Sequence, residues 1–275
     1  MDVTQAILFA VLQGVTELFP VSSLGHAVVI PHLLHWDIDQ ESPAFLPFLV
    51  MLHVGTAIAL LIYFWRDWWL LLRSIMHWPG DAADAESRRL LMMLVLGTIP
   101  AGILGLLLEK RLAALFAAWQ VAAVFLMVNG CVLFLGEVLR RAARSQTLGT
   151  LRSWQSVVIG TSQALALIPG LSRSGCSMVG GLLVGLNHQS AARFSFLLAT
   201  PIILAAAVLE LPKLVAPELR SELPPAVLGG LIAGVAAYLS TAFLMRYFKR
   251  QEINALVPFG VYCIVLGGAT LIFGR

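Results

Sequence analysis

The chain has 275 residues, of which 59% are hydrophobic and 12% are charged, and its net charge is +3. Its mean hydropathy is +0.87, whereas about 25% of the residues in soluble domains are charged, so the composition excludes a soluble protein. The small net charge and the lack of a basic run with interleaved aromatic residues argue against a nucleic-acid partner, and the three cysteines lack the CxxC spacing of a zinc site or a disulfide framework.

Apolar runs of about twenty residues recur along the sequence, with short polar breaks between them. Runs of this length are typical of transmembrane helices, whereas a membrane β-barrel would show short alternating segments. The sequence therefore predicts an all-α, polytopic integral membrane protein.

The first predicted helix, residues 4–18, is too short to cross a bilayer, because at about 1.5 Å per residue it does not cover a hydrocarbon core of roughly 30 Å. We expect Thr4 to cap this helix. The break Pro20–His26 ends it, and an apolar run then continues to about Leu34. Two half-length helices around a polar break predict a re-entrant hairpin. Predicted full-length spans follow at about 45–65, 89–109 and 117–139.

The second half of the chain repeats this plan, with a broken apolar stretch at about 154–186 and spans at about 191–211, 224–248 and 253–274. At an offset of 150 residues, Gln13, Leu18, Val21, Ser22 and Gly25 correspond to Gln163, Ile168, Leu171, Ser172 and Gly175. A hairpin plus three crossings would turn the second copy upside down. The sequence therefore predicts one membrane domain, 1–275, made of two inverted-topology repeats, about 1–145 and 146–275. The alternative is that two unrelated hairpins use the same helix-breaking residues.

The distribution of lysine and arginine near the predicted span ends predicts the orientation. One face would hold twelve of these residues: Arg66, Arg73, Arg88, Arg89, Arg140, Arg141, Arg144, Arg152, Arg193, Arg246, Lys249 and Arg250. The other face would hold five: Lys110, Arg111, Lys213, Arg220 and Arg275. By the positive-inside rule the first face is cytoplasmic, so both termini and the mouth of the first hairpin are expected on the outer side.

Two further segments are interpreted as surface features. An interfacial aromatic belt is expected at one membrane boundary, formed by Tyr63, Phe64, Trp65, Trp68 and Trp69. The polar segment 77–88 is expected to be a solvated loop and not a metal site; it contains Pro79, Gly80, Asp81, Asp84 and Glu86.

Gln13 and Glu17 are candidate metal ligands on the first short helix. They lie four residues apart, so both side chains project from one face of the helix toward the polar break. A carboxylate at membrane depth is costly unless a cation or a proton lies nearby. Glu17 is therefore either a metal ligand or general base, or a helix-terminal side chain that reaches water.

Ser22 or Ser23 can cap a helix that begins at Leu24, which would direct the positive end of that helix toward the same break. His26 lies in the first turn of this helix. Its role is either structural or catalytic, since an imidazole can act as a nucleophile or as a general acid. His53, inside the first predicted span, is a weaker candidate, for helix packing or for support of the site.

The second break places an arginine and three hydroxyl groups in an apolar segment, Gly170–Ser177. An arginine at the centre of a membrane helix costs roughly 2.5 to 3.5 kcal/mol, so it usually faces a partner or a ligand. Arg173 either pairs with a carboxylate such as Glu17 or binds phosphate through its fork of donors. The hydroxyl groups and the N–H groups at the helix start would add to an anion site; they belong to Ser172, Ser174 and Ser177.

Two hairpins that enter from opposite sides would bring their tips together near the midplane of the membrane. There, two helix N-termini, Arg173 and an optional cation would surround an anion. A diphosphate fits this arrangement better than a monocarboxylate, because phosphoryl transfer is catalysed mainly by positioning and charge neutralisation.

Two motifs match the pattern of one known family. The first, Gln13–His26, has Gln, three residues, Glu, and then Pro-Val-Ser-Ser-x-Gly-His after a short spacer; the second, Pro169–Ser177, contains Pro-Gly-x-Ser-Arg-Ser. With these motifs the chain resembles the undecaprenyl-diphosphate phosphatases of bacteria, the BacA or bacitracin-resistance family. The similarity covers nearly the whole chain, because it extends to Phe64-Trp65-Arg66 and to Phe194-Ser195-Phe196-Leu197-Leu198.

The resemblance implies hydrolysis of undecaprenyl diphosphate, or a related polyprenyl diphosphate, to the monophosphate, which recycles the lipid carrier of cell-wall synthesis. The site would open to the periplasmic side of the bacterial inner membrane, and a divalent cation, Mg²⁺ or Ca²⁺, would be required. By position, Glu17 would serve the metal or the attacking water, and His26 or Ser23 would act on the phosphorus. Arg173 would hold phosphate. The substrate-binding and metal-binding residues expected beside them are Gln13, Ser22, Ser172, Ser174 and Ser177.

Two positions depart from the usual pattern of this family. Position 13 is Gln where many members carry Glu, which removes a negative charge and should weaken cation binding. Position 177 is Ser where Thr is common, which keeps the hydroxyl group.

Two rival functions stay open at this point. A transporter or flippase of a lipid phosphate or small anion would share the inverted repeat and the midplane site, but it would need Arg173 and not Glu17 or His26. A non-catalytic relative would only bind the lipid. The expected partners are the polyprenyl diphosphate, the bilayer and a second copy of the chain in a homodimer, with no nucleic acid.

Overall fold

The computed structural model describes residues 3–36, 45–77, 81–113, 118–140, 146–217 and 219–274, and these residues are almost entirely helical. They form the helices α1 Val3–Thr16, α2 Ser23–Leu33, α3 Phe45–Tyr63, α4 Trp65–Met76, α5 Ala82–Ala113, α6 Trp119–Leu139, α7 Ser153–Ala164, α8 Arg173–Leu183, α9 His188–Val215, α10 Leu223–Arg250 and α11 Val257–Phe273. No strand occurs within these ranges, so the all-α prediction is confirmed.

Five of the described helices are long and apolar enough to cross a membrane. Their spans are Phe45–Tyr63, Ala82–Leu108, Trp119–Leu139, His188–Lys213 and Arg220–Arg250. They correspond to five of the six predicted spans, and the sixth corresponds to α11, an apolar helix of 17 residues. The chain is therefore a polytopic helical membrane protein, as its composition predicts.

Glycines bring pairs of long helices into close contact. Gly55 of α3 lies against the backbone of Gly230 in α10, Gly160 of α7 lies against the backbone of α5, and Gly130 of α6 lies against Gly260 in α11. A Cβ atom added at Gly55, Gly160 or Gly130 would collide with the facing carbonyl group. Such close approach is how helices associate in a membrane, where burial from water contributes little between helices.

One predicted helix cap and one predicted loop are wrong. Thr4 lies inside α1, whose described residues start at Val3, so it does not cap the helix. Ser22, one of the two predicted caps of α2, does cap that helix, which begins at Ser23. The segment 77–88 is not a loop throughout, because α5 begins at Ala82. Pro79 and Gly80 lie outside the described residues, while Asp84 and Glu86 are part of the helix.

The acidic residues of this segment form the start of α5. The Asp84 N–H donates to Asp81 Oδ1 at 2.9 Å, and the Asp81 N–H donates to Asp84 Oδ2 at 3.4 Å. This reciprocal bonding caps the helix. The bond from the Asp84 N–H also holds the pKa of the Asp81 carboxyl below its usual range. Acidic residues that resembled a solvated loop were therefore a helix-start signal.

The sequence did not indicate α4, and the aromatic belt predicted there stays a prediction for its exposed members. Trp65 and Trp69 are more than half exposed, as belt residues would be. Phe64, the one residue between α3 and α4, is buried instead and packs against Phe196, so it is not a belt residue.

A buried carboxylate ties four helices together at one end of the bundle. Glu137 Oε1, in the last turn of α6, accepts from His188 Nε2 at 2.9 Å and from the Leu256 N–H at 2.7 Å. The His188 ring, at the start of α9, stacks on Phe248 of α10 at 6.5 Å between centroids. The negative charge therefore also faces the N-terminal end of α11, where it is favourable.

Glu137→Leu is expected to destabilise the protein by about 3 kcal/mol, because it leaves a buried imidazole and a buried N–H without an acceptor. The measurement is the thermal unfolding midpoint in detergent, which should fall by several degrees. Glu252→Ala is the control: the Glu252 backbone carbonyl, and not its exposed side chain, accepts from Arg140. Equal midpoints for both variants would contradict the role of Glu137.

Candidate active site

The candidate site lies where the two predicted helix breaks come together. Ser22 Oγ accepts from the Gly25 N–H and Ser172 Oγ accepts from the Gly175 N–H, each at 3.1 Å. These serines are the N-caps of α2 and α8. Because both helices begin at the breaks, both direct the positive end of their dipoles toward this region.

Both breaks contain a residue with left-handed backbone geometry. Ser22 has φ 71° and Gly170 has φ 102°. This conformation is strained for serine, and such residues concentrate at functional sites. At Gly170 a side chain is also excluded by space, since a Cβ atom would collide with the Ala122 carbonyl group of α6. A close contact with α6 therefore fixes the backbone of the second break.

Asn129 of α6 joins the two breaks. Its Nδ2 donates to the Pro20 carbonyl and its Oδ1 accepts from the Ser172 N–H, both at 2.9 Å. A direct bond runs from Ser174 Oγ to the Phe19 carbonyl at 3.0 Å. Asn129 is fully buried and was missed by the sequence analysis, although an asparagine in the middle of an apolar span was a visible signal.

Four side chains converge on the Glu17 carboxylate. Its Oε1 pairs with Arg173 Nη2 at 2.6 Å. Its Oε2 accepts from Ser23 Oγ at 2.5 Å and from Gln13 Nε2 at 3.1 Å, and it pairs with His53 Nε2 at 3.1 Å. Glu17 is 6% exposed. The structure therefore brings together five residues that the sequence singled out, and Glu17 is the centre of the group.

The site carries an excess of positive charge. His53 Nδ1 lies 2.8 Å from the Leu49 carbonyl oxygen, and Nε2 faces the Glu17 carboxylate. The ring donates to both oxygens when each of its nitrogens carries a proton. With Arg173, the site then holds two positive groups and one negative group, which favours binding of a polyanion.

Two buried polar atoms of this group have no hydrogen-bond partner among the described residues. They are Arg173 Nη1, a donor, and Gln13 Oε1, an acceptor. Burying such atoms without partners is unfavourable. A ligand that accepts from the arginine would remove one of these penalties, and a cation bound to the amide oxygen would remove the other.

The serines around Arg173 are bonded within the protein. Ser177 Oγ lies 2.6 Å from Ser195 Oγ of α9 and donates to the Arg173 carbonyl at 2.8 Å. Ser172 Oγ and Ser174 Oγ lie 3.1 Å apart. None of these hydroxyl groups bonds to Glu17 in the described part of the chain. The expected phosphate contacts of the three serines therefore stay a prediction, and their observed bonds shape the start of α8.

His26 bonds elsewhere, apart from the Glu17 group. Its Nδ1 lies 2.7 Å from the Ser22 carbonyl oxygen and its Nε2 lies 2.8 Å from the Tyr262 hydroxyl. Since the carbonyl can only accept, Nδ1 carries the proton and Nε2 accepts from Tyr262. The imidazole is fully buried and stacks on the Tyr262 ring at 5.6 Å between centroids. No sequence signal pointed to Tyr262.

Within the described residues, no group of three or more His, Cys, Asp and Glu side chains could hold a metal ion. Gln13 Oε1 is the free oxygen that fits a divalent cation, whereas the Glu17 carboxylate would bind one in exchange for one of its four donors. Gln13 Oε1 is an unpartnered buried oxygen, and its Nε2 is bonded to the Glu17 carboxylate. Mg²⁺ binds in proteins through one or two carboxylates together with substrate phosphates, and Glu17 is the one carboxylate of this group.

Comparison with known proteins agrees with this arrangement of motifs. The family model for "Bacitracin resistance protein BacA" matches residues 6–269. The chain is 54% identical over 272 residues to "Undecaprenyl-diphosphatase" of Acidiphilium cryptum, covering 97% of this chain and 96% of the relative. It is 53% identical over 274 residues to "Undecaprenyl-diphosphatase 2" of Chromobacterium violaceum, covering 99% of both chains. The chain therefore belongs to the BacA family.

Proposed function

We propose that this protein is an integral membrane phosphatase that hydrolyses undecaprenyl diphosphate to undecaprenyl phosphate and inorganic phosphate. The observation that carries the proposal is the buried Ser23–Glu17 pair beside Arg173, whose Nη1 is free to bind a ligand. The pair supplies a hydroxyl group with an adjacent proton acceptor. The arginine supplies a hydrogen-bond donor for a phosphate oxygen. The family membership supports the same reaction.

Arg173 holds the terminal phosphate in this proposal. Its Nη1 donates to a phosphate oxygen while Nη2 keeps its contact with Glu17, and the N-terminal ends of α2 and α8 add favourable dipoles. His53 balances the charge of Glu17, so the anionic substrate meets a site of net positive charge. Such fixed positive groups stabilise the charge on the phosphoryl group as it is transferred.

Ser23 is the nucleophile that the geometry favours. Glu17 takes the hydroxyl proton as Ser23 Oγ forms a bond to the terminal phosphorus. The bond from that phosphorus to the bridging oxygen breaks, and the lipid monophosphate leaves. Water then attacks the phosphoserine, the bond to Ser23 Oγ breaks, and Glu17 returns its proton to that oxygen. The oxygen of this water becomes part of the inorganic phosphate that leaves the site.

His26 is less suited to attack phosphorus in this geometry, since its Nδ1 carries a proton and its Nε2 accepts from Tyr262. Its bond to the Ser22 carbonyl instead supports the strained residue that caps α2. His26 would then position the first turn that carries Ser23. The direct catalytic role expected for His26 stays a prediction.

A divalent cation, Mg²⁺ or Ca²⁺, would be held by Gln13 Oε1 and Glu17 together with the substrate diphosphate. When bound, it would supply charge neutralisation and withdraw electron density from the phosphate oxygens.

Gln13→Glu is expected to lower the Mg²⁺ concentration for half-maximal phosphate release by about tenfold, because a second carboxylate strengthens binding of a hard cation. Gln13→Leu removes the free oxygen and should raise that concentration. The measurement is phosphate release against Mg²⁺ concentration at fixed substrate. If neither variant changes the cation dependence, Gln13 is not a ligand.

The two-repeat architecture is part of this proposal. The helix bounds support the 150-residue offset. α2 Ser23–Leu33 and α8 Arg173–Leu183 begin and end 150 residues apart, and their N-caps are separated by the same number. Repeats of about 1–145 and 146–275, each with a re-entrant hairpin, would bring the breaks together from opposite sides of the membrane.

The proposed location is the bacterial inner membrane, with the site open to the periplasmic side. The excess of basic residues on one face supports this orientation, although Arg141, Arg144 and Arg275 and the side chains of Lys110 and Arg111 lie outside the described residues. A homodimer is a further prediction, which chemical cross-linking in native membranes would test.

The reaction is tested with purified protein in detergent, undecaprenyl diphosphate and Mg²⁺ or Ca²⁺, by measuring released phosphate. Cation-dependent release that saturates with substrate would support the phosphatase. Binding without release would instead indicate a non-catalytic relative. Movement of a lipid phosphate across a liposome bilayer without hydrolysis would identify a transporter.

A further inference from the structure

An apolar groove follows one face of α5, separate from the Glu17 site. Its volume is about 530 Å³, within the range of roughly 300 to 1,000 Å³ found for small-molecule sites. Besides α5, it is bordered by Trp68 of α4 and Pro201 of α9. The one hydroxyl group in its lining, that of Thr98, already donates to the Leu94 carbonyl at 2.8 Å, so the groove offers an apolar surface.

The helix contacts give the level of this groove relative to Arg173. α8 and α9 are antiparallel neighbours, and Ser177 Oγ lies 2.6 Å from Ser195 Oγ. Arg173, one turn before Ser177, is therefore level with Ala199, one turn after Ser195. Ala199 is two residues from Pro201, which borders the groove. The backbone of Arg173 and the groove therefore lie at the same level of the bundle, on different faces of α9.

α5 and α9 run in the same direction. Arg89, near the start of α5, donates to the Leu151 carbonyl just before α7, and Gly105, near the end of α5, approaches Leu167 just after α7. α5 and α7 are therefore parallel. α8 is antiparallel to α7, since Gln155 near the start of α7 bonds to the Val184 carbonyl at the end of α8 at 2.8 Å. α9 is antiparallel to α8, so it runs in the same direction as α7 and α5.

The sequence explains why α5 and α9 leave a groove between them. They touch at Gly97, where a Cβ atom would lie 3.1 Å from the Leu198 side chain. Three residues later along each helix stands a proline, Pro100 in α5 and Pro201 in α9. Each proline removes a helical hydrogen bond and favours a bend. Beyond the contact, Gly102 faces open space, with no described atom within 4 Å of an added Cβ.

We propose that this groove binds the polyprenyl tail of the substrate. The inference rests on the proposed function, in which the diphosphate is bound at Arg173. A tail attached to that diphosphate leaves the site at the level of Arg173 and must stay in apolar surroundings. The groove lies at that level, is apolar, and is bordered by α9, the helix that contacts the start of α8. It would therefore select substrates by tail length.

The experiment compares wild type, Gly102→Phe and Gly268→Phe on diphosphates with one, three and eleven isoprene units. At position 102 an added Cβ atom meets no neighbouring atom within 4 Å, so a phenylalanine side chain can extend from there into the groove. Gly268 of α11 is the matched control, because it too has no described atom within 4 Å of an added Cβ but lies outside the groove. The measured quantity is kcat/KM for phosphate release.

We expect Gly102→Phe to lose about tenfold on the eleven-unit substrate and less than twofold on the one-unit substrate, with Gly268→Phe unchanged on both. The one-unit rate also reports that the variant is folded. The proposal would be overturned by equal losses of kcat/KM at all tail lengths. It would also be overturned by an unchanged kcat/KM with the longest tail, which would indicate that ordinary lipid fills the groove. Failure of the wild type to release phosphate from any of them would instead contradict the proposed function.

Discussion

Arg173→Ala is expected to lower kcat/KM for undecaprenyl diphosphate by about a thousandfold. The substitution removes the only unpartnered cationic donor among the described residues at the site and leaves Glu17 with a smaller opposing charge. Arg173→Lys should recover part of the rate, because it keeps the charge but not the planar fork that contacts carboxylate and phosphate together. The measurement is phosphate release by purified variants in detergent at saturating Mg²⁺.

Arg66→Ala is the matched control, since Arg66 is exposed on α4 and stacks only on Trp65 at 5.4 Å among its described contacts. It should keep the wild-type rate. If Arg173→Ala retained more than about a tenth of the wild-type kcat/KM, the guanidinium would not be the phosphate clamp.

Ser23→Ala is expected to reduce kcat by about a thousandfold, because it removes the oxygen that attacks phosphorus and leaves Glu17 without its proton donor. Substrate binding should change little, since Arg173 is intact. Rapid quenching with substrate labelled in the terminal phosphate should also trap a phosphoserine at position 23 in the wild type and not in the variant.

Ser22→Ala and His26→Ala complete this comparison. Ser22→Ala removes the cap of α2 and should cost about 1 kcal/mol of stability while most of the activity is kept. His26→Ala tests the nucleophile directly. A Ser23→Ala variant with full activity, together with an inactive His26→Ala variant and a labelled histidine, would assign the attack to the imidazole.

The core of the site could be predicted from the sequence because polar groups at membrane depth have few partners available. Glu17 and Arg173 are costly in apolar surroundings, so each requires a partner, and the sequence analysis named a Glu17–Arg173 pair as one alternative. The pairing and the phosphate-binding role are compatible, since the second guanidinium nitrogen is unpartnered. Ser22 as a cap was predictable for a local reason, since capping depends on neighbouring backbone groups.

Contacts between distant segments could not be predicted in this way. His26 is 236 residues from Tyr262, its hydrogen-bond partner, and no local pattern records that pairing. His53 was only a weak candidate because one histidine in an apolar span has the same local signature whether it packs or pairs. The start of α5 was missed for a different reason: Asp81 and Asp84 were interpreted by their polarity and not by their spacing, although a spacing of three is that of a helix cap.

The position of Asn129 has a consequence for the order in which the site is assembled during synthesis. The Pro20 carbonyl is made 109 residues before its partner Asn129, and Ser172 follows Asn129 by another 43. The first break is therefore bonded only after α6 has entered the membrane, and the second break then meets a half-site already held by that helix. Asn129→Leu would leave two buried backbone groups unpaired, so newly made chains should accumulate in a protease-sensitive form even though Asn129 makes no described contact with the Glu17 carboxylate.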